Sequence, residues 1–92
     1  MELLENNLVI NLSTRPDRFE HVTNEFKQLE LIPRRFNAFQ TKDGAVGCTI
    51  SHIRCLEIAI EEDKDYIFIC EDDISFTDPY ILKRNIKRFV DN

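Results

Sequence analysis

Short apolar runs alternate along the chain with stretches in which apolar residues recur every three or four positions. The runs at residues 8–12, 35–39 and 66–70 predict three β-strands, and the last run is apolar without interruption, which is typical of a strand buried on both faces. The periodic stretches that follow the runs predict three amphipathic helices. Their apolar stripes are Phe19, Val22, Phe26 and Leu29, then Ile50, Ile53, Leu56, Ala59 and Ile60, and last Tyr80, Leu82, Ile86, Phe89 and Val90.

This order of elements predicts an α/β domain, because strands that alternate with helices form parallel sheets through right-handed crossovers. We expect a Rossmann-like, three-layer arrangement with the strands in the spatial order 2-1-3. The 92 residues suffice for one small domain, so residues 1–92 are expected to fold as a single unit. In this order the first and third strands end side by side, so the turn at residues 11–18 and the acids at residues 71–73 share one edge of the sheet.

Three acids, Glu71, Asp72 and Asp73, follow the third strand directly. Like charges at the end of a buried strand repel one another, and a divalent cation removes that cost. Oxygen ligands suit Mg²⁺ or Mn²⁺, and ligands of open α/β sheets bind beyond the carboxyl ends of the strands. The acids therefore indicate a metal site, with a solvated acidic turn as the alternative.

Polar residues after the first strand are candidates for binding an anion. Arg15 and Arg18 lie in the turn that follows the strand, where a guanidinium group can pair with phosphate; the alternative is a solvated helix start. Asn11, at the end of the strand, is a candidate for contact with a base or a ribose. Capping of the next helix is an equally good interpretation of Asn11.

Both glycines of the protein, Gly44 and Gly47, fall in a predicted loop at residues 41–47. They indicate unusual backbone angles or a close approach of the backbone at that point. The helix predicted at residues 48–63 would offer unpaired N–H groups to an anion at its N-terminus. Ser51 and His52 lie near this end, and His52 either contacts a ligand or bonds the backbone beneath the site.

Composition narrows the possible partners and the compartment. The net charge of −5 and the pI of about 4.9 exclude the basic footprint of a nucleic-acid-binding protein. No apolar run approaches the length of about 18 residues that a transmembrane helix needs, and the N-terminus resembles no signal peptide. The three cysteines, Cys48, Cys55 and Cys70, form no CxxC pair and have apolar neighbours, so we expect free buried thiols in the cytoplasm.

Four motifs, in this order along the chain, resemble those of the family 25 glycosyltransferases, which include lipopolysaccharide-building and collagen-modifying galactosyltransferases. The motifs are Val9-Ile10-Asn11-Leu12 with Arg15 and Arg18, Arg35-Phe36-Asn37-Ala38, Gly47-Cys48-Thr49-Ile50-Ser51-His52, and Ile69-Cys70-Glu71-Asp72-Asp73-Ile74. The resemblance extends over residues 8–76, and the acidic motif would be the counterpart of the DxD signature.

This resemblance implies a GT-A-type domain that binds a nucleotide sugar, frequently UDP-galactose, together with a divalent metal, commonly Mn²⁺, for transfer to a glycan or protein acceptor. Together, the resemblance and the positions in the chain suggest that the donor is bound by Asn11, Arg15, Arg18, Gly47, Ser51 and His52. They suggest that the metal is bound by Glu71, Asp72 and Asp73. Catalytic domains of this family are longer than this chain, and the further part would hold most acceptor contacts. The alternative is therefore a truncated, non-catalytic interaction module. We expect its sheet and its last helix to leave apolar surface exposed, which predicts a homo-oligomer.

Overall fold

The computed structural model describes residues 2–78 and, beyond them, residues 81, 82, 84, 85 and 88. The elements in this part are α1 (Glu2–Glu5), β1 (Asn7–Asn11), α2 (Pro16–Lys27), β2 (Arg35–Asn37), α3 (Gly44–Glu61) and β3 (Phe68–Glu71). Only α1 has no counterpart in the prediction. The predicted last helix falls largely outside the described residues, and of its apolar stripe only Leu82 lies among them.

The three strands form a parallel sheet in the order β2-β1-β3, which confirms the α/β class and the predicted order 2-1-3. In this register Ile10 of β1 lies opposite Phe36 of β2 on one side and Glu71 of β3 on the other. The carboxyl ends of all three strands are therefore level. The turn after β1 and the acids after β3 meet at this edge, as the sequence predicts.

The strand that is buried on both faces is β1 and not β3, so this part of the prediction is wrong. Every residue of β1 is buried. In β3 only Cys70 is buried, while Phe68 and Ile69 are half-buried and Glu71 is exposed. Tyr66 lies before the strand with 56% of its surface exposed. The reason is position in the sheet, because β1 has two neighbouring strands and β3 pairs only with β1 among the described strands.

Alternate residues of β1 build two apolar cores on opposite faces of the sheet. Val9 packs with Val22, Phe26 and Leu29 on the side of α2, as the predicted stripe of α2 requires. Leu8 and Ile10 pack with Cys55 of α3 on the other side. From β1 the chain crosses to β2 on one side, and from β2 it returns past β1 to β3 on the other side. Because these two right-handed crossovers run in opposite directions along the sheet, α2 and α3 lie on opposite faces of it. The result is the expected three-layer arrangement.

Helix α3 packs on the sheet through a side that shares only Ala59 with its predicted apolar stripe. Its buried residues are Gly47, Ser51, Cys55 and Ala59. Ile53, Leu56 and Ile60 of the predicted stripe are instead 53%, 50% and 78% exposed. The helix is apolar on two sides, and periodicity alone does not decide which side faces the sheet. Small residues on one side let the helix axis come close to the strands, which explains the observed choice.

Helix α3 also begins earlier than the sequence predicts, at Gly44 rather than at residue 48. Asp43 caps it, since its carboxylate accepts a hydrogen bond of 2.9 Å from the backbone N–H of Ala45. The backbone N–H groups of Val46 and Gly47 already donate to the carbonyl of Asp43. The N–H groups of Ala45, Val46 and Gly47 are therefore already hydrogen-bonded within the protein, and Ser51 and His52 are well inside the helix.

Candidate functional site

A cleft of about 400 Å³ opens at the carboxyl ends of the strands. Its walls are the end of β1 with the following turn, the segment after β2, the first turns of α3 and the end of β3. The lining residues are Ile10, Leu12, Arg15, Arg18, Ala38, Phe39, Gln40, Thr41, Lys42, Gly44, Cys48, Ser51, Glu71 and Asp72. Open α/β sheets bind their ligands in this place, where the direction of winding reverses between neighbouring strands.

Asn11 is buried beneath the cleft and links three elements through its side-chain amide. Its Nδ2 donates to Oδ2 of Asp72 at 2.8 Å and to the carbonyl of Arg15 at 3.0 Å. Its Oδ1 accepts from Nε of Arg35 at 2.8 Å. Both groups of the amide are thus used inside the protein, and Asn11 holds the buried carboxylate of Asp72 in a fixed orientation.

The two arginines predicted to bind an anion both line the cleft. Arg15 forms a two-pronged pair with Asp17, with N···O distances of 3.0 and 2.9 Å. The hydrogen bond from Arg15 lowers the pKa of Asp17 to about 2. Nη1 of Arg18 lies 3.6 Å from Oδ1 of Asp72. Both guanidinium groups remain partly exposed, so each has N–H groups to offer to an anionic ligand.

The three acids after β3 do not all point to the same place. Glu71 and Asp72 line the cleft, Glu71 as an exposed side chain and Asp72 as a buried one. Asp73 is exposed and is not among the described residues that line it. Oε1 of Glu71 lies 3.2 Å from Sγ of Cys48, and the hydrogen bond from this thiol raises the pKa of Cys48.

Gly47 and Ser51 hold α3 against the segment after β2, which forms one wall of the cleft. A Cβ atom on Gly47 would lie only 2.6 Å from the carbonyl oxygen of Phe39. The hydroxyl of Ser51 accepts from the backbone N–H of Phe39 and donates to the carbonyl of Gly47, both at 2.9 Å. The close approach predicted from the glycines is confirmed, whereas the unusual angles are not, because neither glycine has a positive φ.

His52 and Cys48 lie one helical turn apart on α3, beside Glu71 of β3. One Cys, one His and one carboxylate donor atom from these residues all lie within 4.8 Å of one another. Cys48 is half-buried, so the expectation that this thiol is buried is wrong. The sequence analysis did not select Cys48, although its spacing of four residues from His52 places the two side chains on one helix face.

Cys55 and Cys70 are buried free thiols, and Cys48 is also free. Burial, reinforced by the nearby acids, raises the pKa of Cys70 to about 12. Cys70 is therefore an unreactive core thiol.

Among the described residues, no helix combines the length and the apolar character that crossing a membrane requires.

Residues 42–91, more than half of the chain, match the family model described as glycosyltransferase family 25 (LPS biosynthesis protein). A protein of Haemophilus influenzae named "Putative glycosyltransferase" is 34% identical over 92 aligned positions, which cover 76% of this chain and 33% of that protein. The chain thus spans about a third of the length of this relative. The matched segment contains α3, β3 and the acids at the cleft. This chain belongs to glycosyltransferase family 25.

Proposed function

We propose that this chain is the donor-binding part of a glycosyltransferase with a GT-A-type fold, and that its cleft binds a UDP-sugar. UDP-galactose is the donor that the family resemblance favours, with a glycan or a protein as the acceptor. One observation carries the proposal, namely that arginines and carboxylates of a family 25 chain line one cleft at the carboxyl ends of parallel strands.

The chemistry of a nucleotide sugar explains why such a cleft would need both signs of charge. The sugar leaves from a diphosphate, so negative charge develops on the departing oxygen and must be stabilised. Arg15 and Arg18 would pair with the diphosphate, since both line the cleft and their guanidinium groups are partly exposed. Asn11 acts indirectly in this proposal, by holding Asp72 in place.

A divalent ion, Mn²⁺ or Mg²⁺, is proposed to bind at Glu71 and Asp72, with Asp73 as a third candidate ligand. Carboxylate oxygens suit either ion, and two of the three carboxylates line the cleft. Asp72 is already held by Asn11 and lies near Arg18, which leaves Glu71 the more accessible ligand. When bound, the ion would offset the charge of the diphosphate and act as a Lewis acid.

Calorimetric titration with UDP-galactose in the presence of Mn²⁺ tests this proposal. We expect binding by the wild-type chain and a loss of about tenfold or more in affinity for Arg18→Gln, because a charge-assisted hydrogen bond is removed. Arg54→Gln is the matched control, because Arg54 is half-buried and ion-paired with Glu61, outside the set of residues that line the cleft. Absence of binding, or an equal loss in the control, would contradict the proposal.

An interaction module remains the second candidate, and a specific observation favours it. Helix α3 presents an outer stripe of apolar side chains on the side away from the sheet, namely Val46, Ile50, Ile53, Leu56 and Ile60. Exposed contiguous apolar surface of this kind marks sites of protein contact. Association without any affinity for UDP or its sugars would favour this second function over the first.

A further inference from the structure

Three side chains with three different donor atoms converge beside the cleft, and nothing in the proposed transfer reaction uses them together. They are Cys48 and His52 of α3 and Glu71 of β3. We propose that these residues form a binding site for a thiophilic divalent cation, with Zn²⁺ as the ion it fits best. This site differs from the all-oxygen site proposed above, although the two would share Glu71.

The distances between the donor atoms are close to those of a zinc site. Zn–S bonds of about 2.3 Å and Zn–N or Zn–O bonds of about 2.0–2.2 Å place the ligand atoms of a tetrahedral site about 3.3–3.6 Å apart. Sγ of Cys48 and Oε1 of Glu71 are already 3.2 Å apart, and all three donor atoms lie within 4.8 Å. A contraction of about 1 Å would close the site. Because the side chain of Glu71 is exposed and that of His52 is half-buried, both can make this adjustment.

The backbone already places the ligands for such a site. Cys48 and His52 are four residues apart, so they project from one helix face a single turn from each other. The packing of Gly47 against Phe39 and the two hydrogen bonds of Ser51 fix this part of α3. Glu71 ends a strand that is paired with β1. Two elements held by the core therefore present the three ligands, which reduces the ordering that a metal must impose.

The donor set selects for a zinc-like ion over magnesium or manganese. Thiolate and imidazole ligands suit Zn²⁺, whereas Mg²⁺ and Mn²⁺ prefer oxygen. A thiolate from Cys48 and the carboxylate of Glu71 would together balance the two charges of the ion, after Cys48 releases its proton to solvent. Three protein ligands leave a fourth position open. Because Cys48 and Glu71 line the cleft, this position would be accessible from the cleft.

Titration of the reduced chain with Co²⁺, a spectroscopic substitute for Zn²⁺, tests the site without any sugar nucleotide. We expect one ion per chain and a thiolate-to-cobalt charge-transfer band in the near ultraviolet. Cys48→Ser should lose the band, and His52→Gln and Glu71→Gln should each weaken affinity by about tenfold or more. Glu57→Gln, an exposed acid on the same helix, is the control and should bind Co²⁺ as the wild type does. Absence of the band in the wild type, its survival in Cys48→Ser, or undiminished affinity in His52→Gln would overturn the proposal.

A second measurement uses only the wild-type chain, so its result does not depend on whether a variant folds. Zn²⁺ should protect Cys48 from alkylation, as followed by mass spectrometry, while the buried thiols of Cys55 and Cys70 react slowly with or without the ion. Equal alkylation of Cys48 in both conditions would count against the site.

Asp73→Asn separates the two metal sites, because Asp73 belongs only to the oxygen set. It should leave Co²⁺ binding intact, and a loss as large as that in Glu71→Gln would show that the acids alone bind the ion.

Discussion

Gly47 determines how closely α3 approaches the segment that follows β2. The carbonyl oxygen of Phe39 occupies the space that a Cβ atom of residue 47 would need, at a distance of only 2.6 Å. Gly44, one turn earlier on the same helix, has no neighbouring atom within 4 Å of the corresponding position. The two glycines of the protein therefore have different roles, although they occur in the same predicted loop. One allows a close contact and the other only begins a helix.

The two glycines give a matched pair of substitutions. Gly47→Ala should lower the free energy of unfolding by about 1–3 kcal/mol, because backbone atoms must move to admit the methyl group. Gly44→Ala should leave stability unchanged or raise it by at most about 1 kcal/mol, because alanine restricts the unfolded chain and favours the helix. Urea denaturation of both variants measures the difference. Equal destabilisation would mean that the contact with Phe39 does not limit the packing of α3.

At the level of single residues, sequence predicted the parts of the site that depend only on strand order. Arg15, Arg18, Glu71 and Asp72 line one cleft because parallel strands that lie side by side end at the same edge. The contact between Cys48 and Glu71 was not predicted. It depends on which side of α3 packs on the sheet, and periodicity did not determine this.

The elements are joined at the cleft by one buried amide. Asn11 ends β1, donates to Asp72 after β3 and to the carbonyl before α2, and accepts from Arg35 of β2. The sequence analysis placed Asn11 at this edge and left open a choice between ligand contact and capping. Its amide braces the turn before α2, while Arg15 occupies the N-cap position of that helix without a capping hydrogen bond from its own side chain.

Removal of this amide should destabilise the junction of the elements. Asn11→Ala removes the hydrogen bond of 2.8 Å that Asn11 donates to the buried carboxylate of Asp72, so we expect a loss of about 1–3 kcal/mol in the free energy of unfolding. Asn37→Ala is the control, since the exposed side chain of Asn37 also accepts from Arg35 but lies at the surface. Its expected effect is within about 0.5 kcal/mol. Thermal or urea denaturation compares the two, and similar losses would argue against a bracing role for Asn11.

For the elements, the sequence predicted their types and order better than their orientation. The runs and stripes located all three strands and both long helices to within a few residues. Apart from Ala59, the inner side of α3 was not predicted, because it consists of small residues whose spacing carries little hydrophobic signal, namely Gly47, Ser51, Cys55 and Ala59. The larger side chains of the outer stripe dominated the pattern. The face of α3 that packs on the sheet is therefore the one with the weaker hydrophobic pattern in the sequence.

The described part of the molecule leaves apolar surface on the outer side of α3, where the sequence analysis did not expect it. The prediction located it on the sheet and on the last helix, which lies largely outside the described residues. In the described part the outer stripe of α3 is the more extensive candidate. Val46, Ile53 and Ile60 recur at intervals of seven residues, with Leu56 between the last two. This spacing is that of helices which pack side by side in pairs.

We therefore expect the chain to self-associate through α3 at high micromolar concentration. Burial of apolar area contributes about 25 cal/mol per Å², so a seam of several aliphatic side chains should give a weak but measurable dimer. Ile53→Lys should shift the chain to the monomer in sedimentation equilibrium without loss of stability, because Ile53 is exposed in the isolated chain. Asn24→Lys adds the same charge at an exposed position of α2 and should leave association unchanged. A monomeric wild type, or equal association of Ile53→Lys, would show that the outer stripe of α3 does not contact a second copy of the chain.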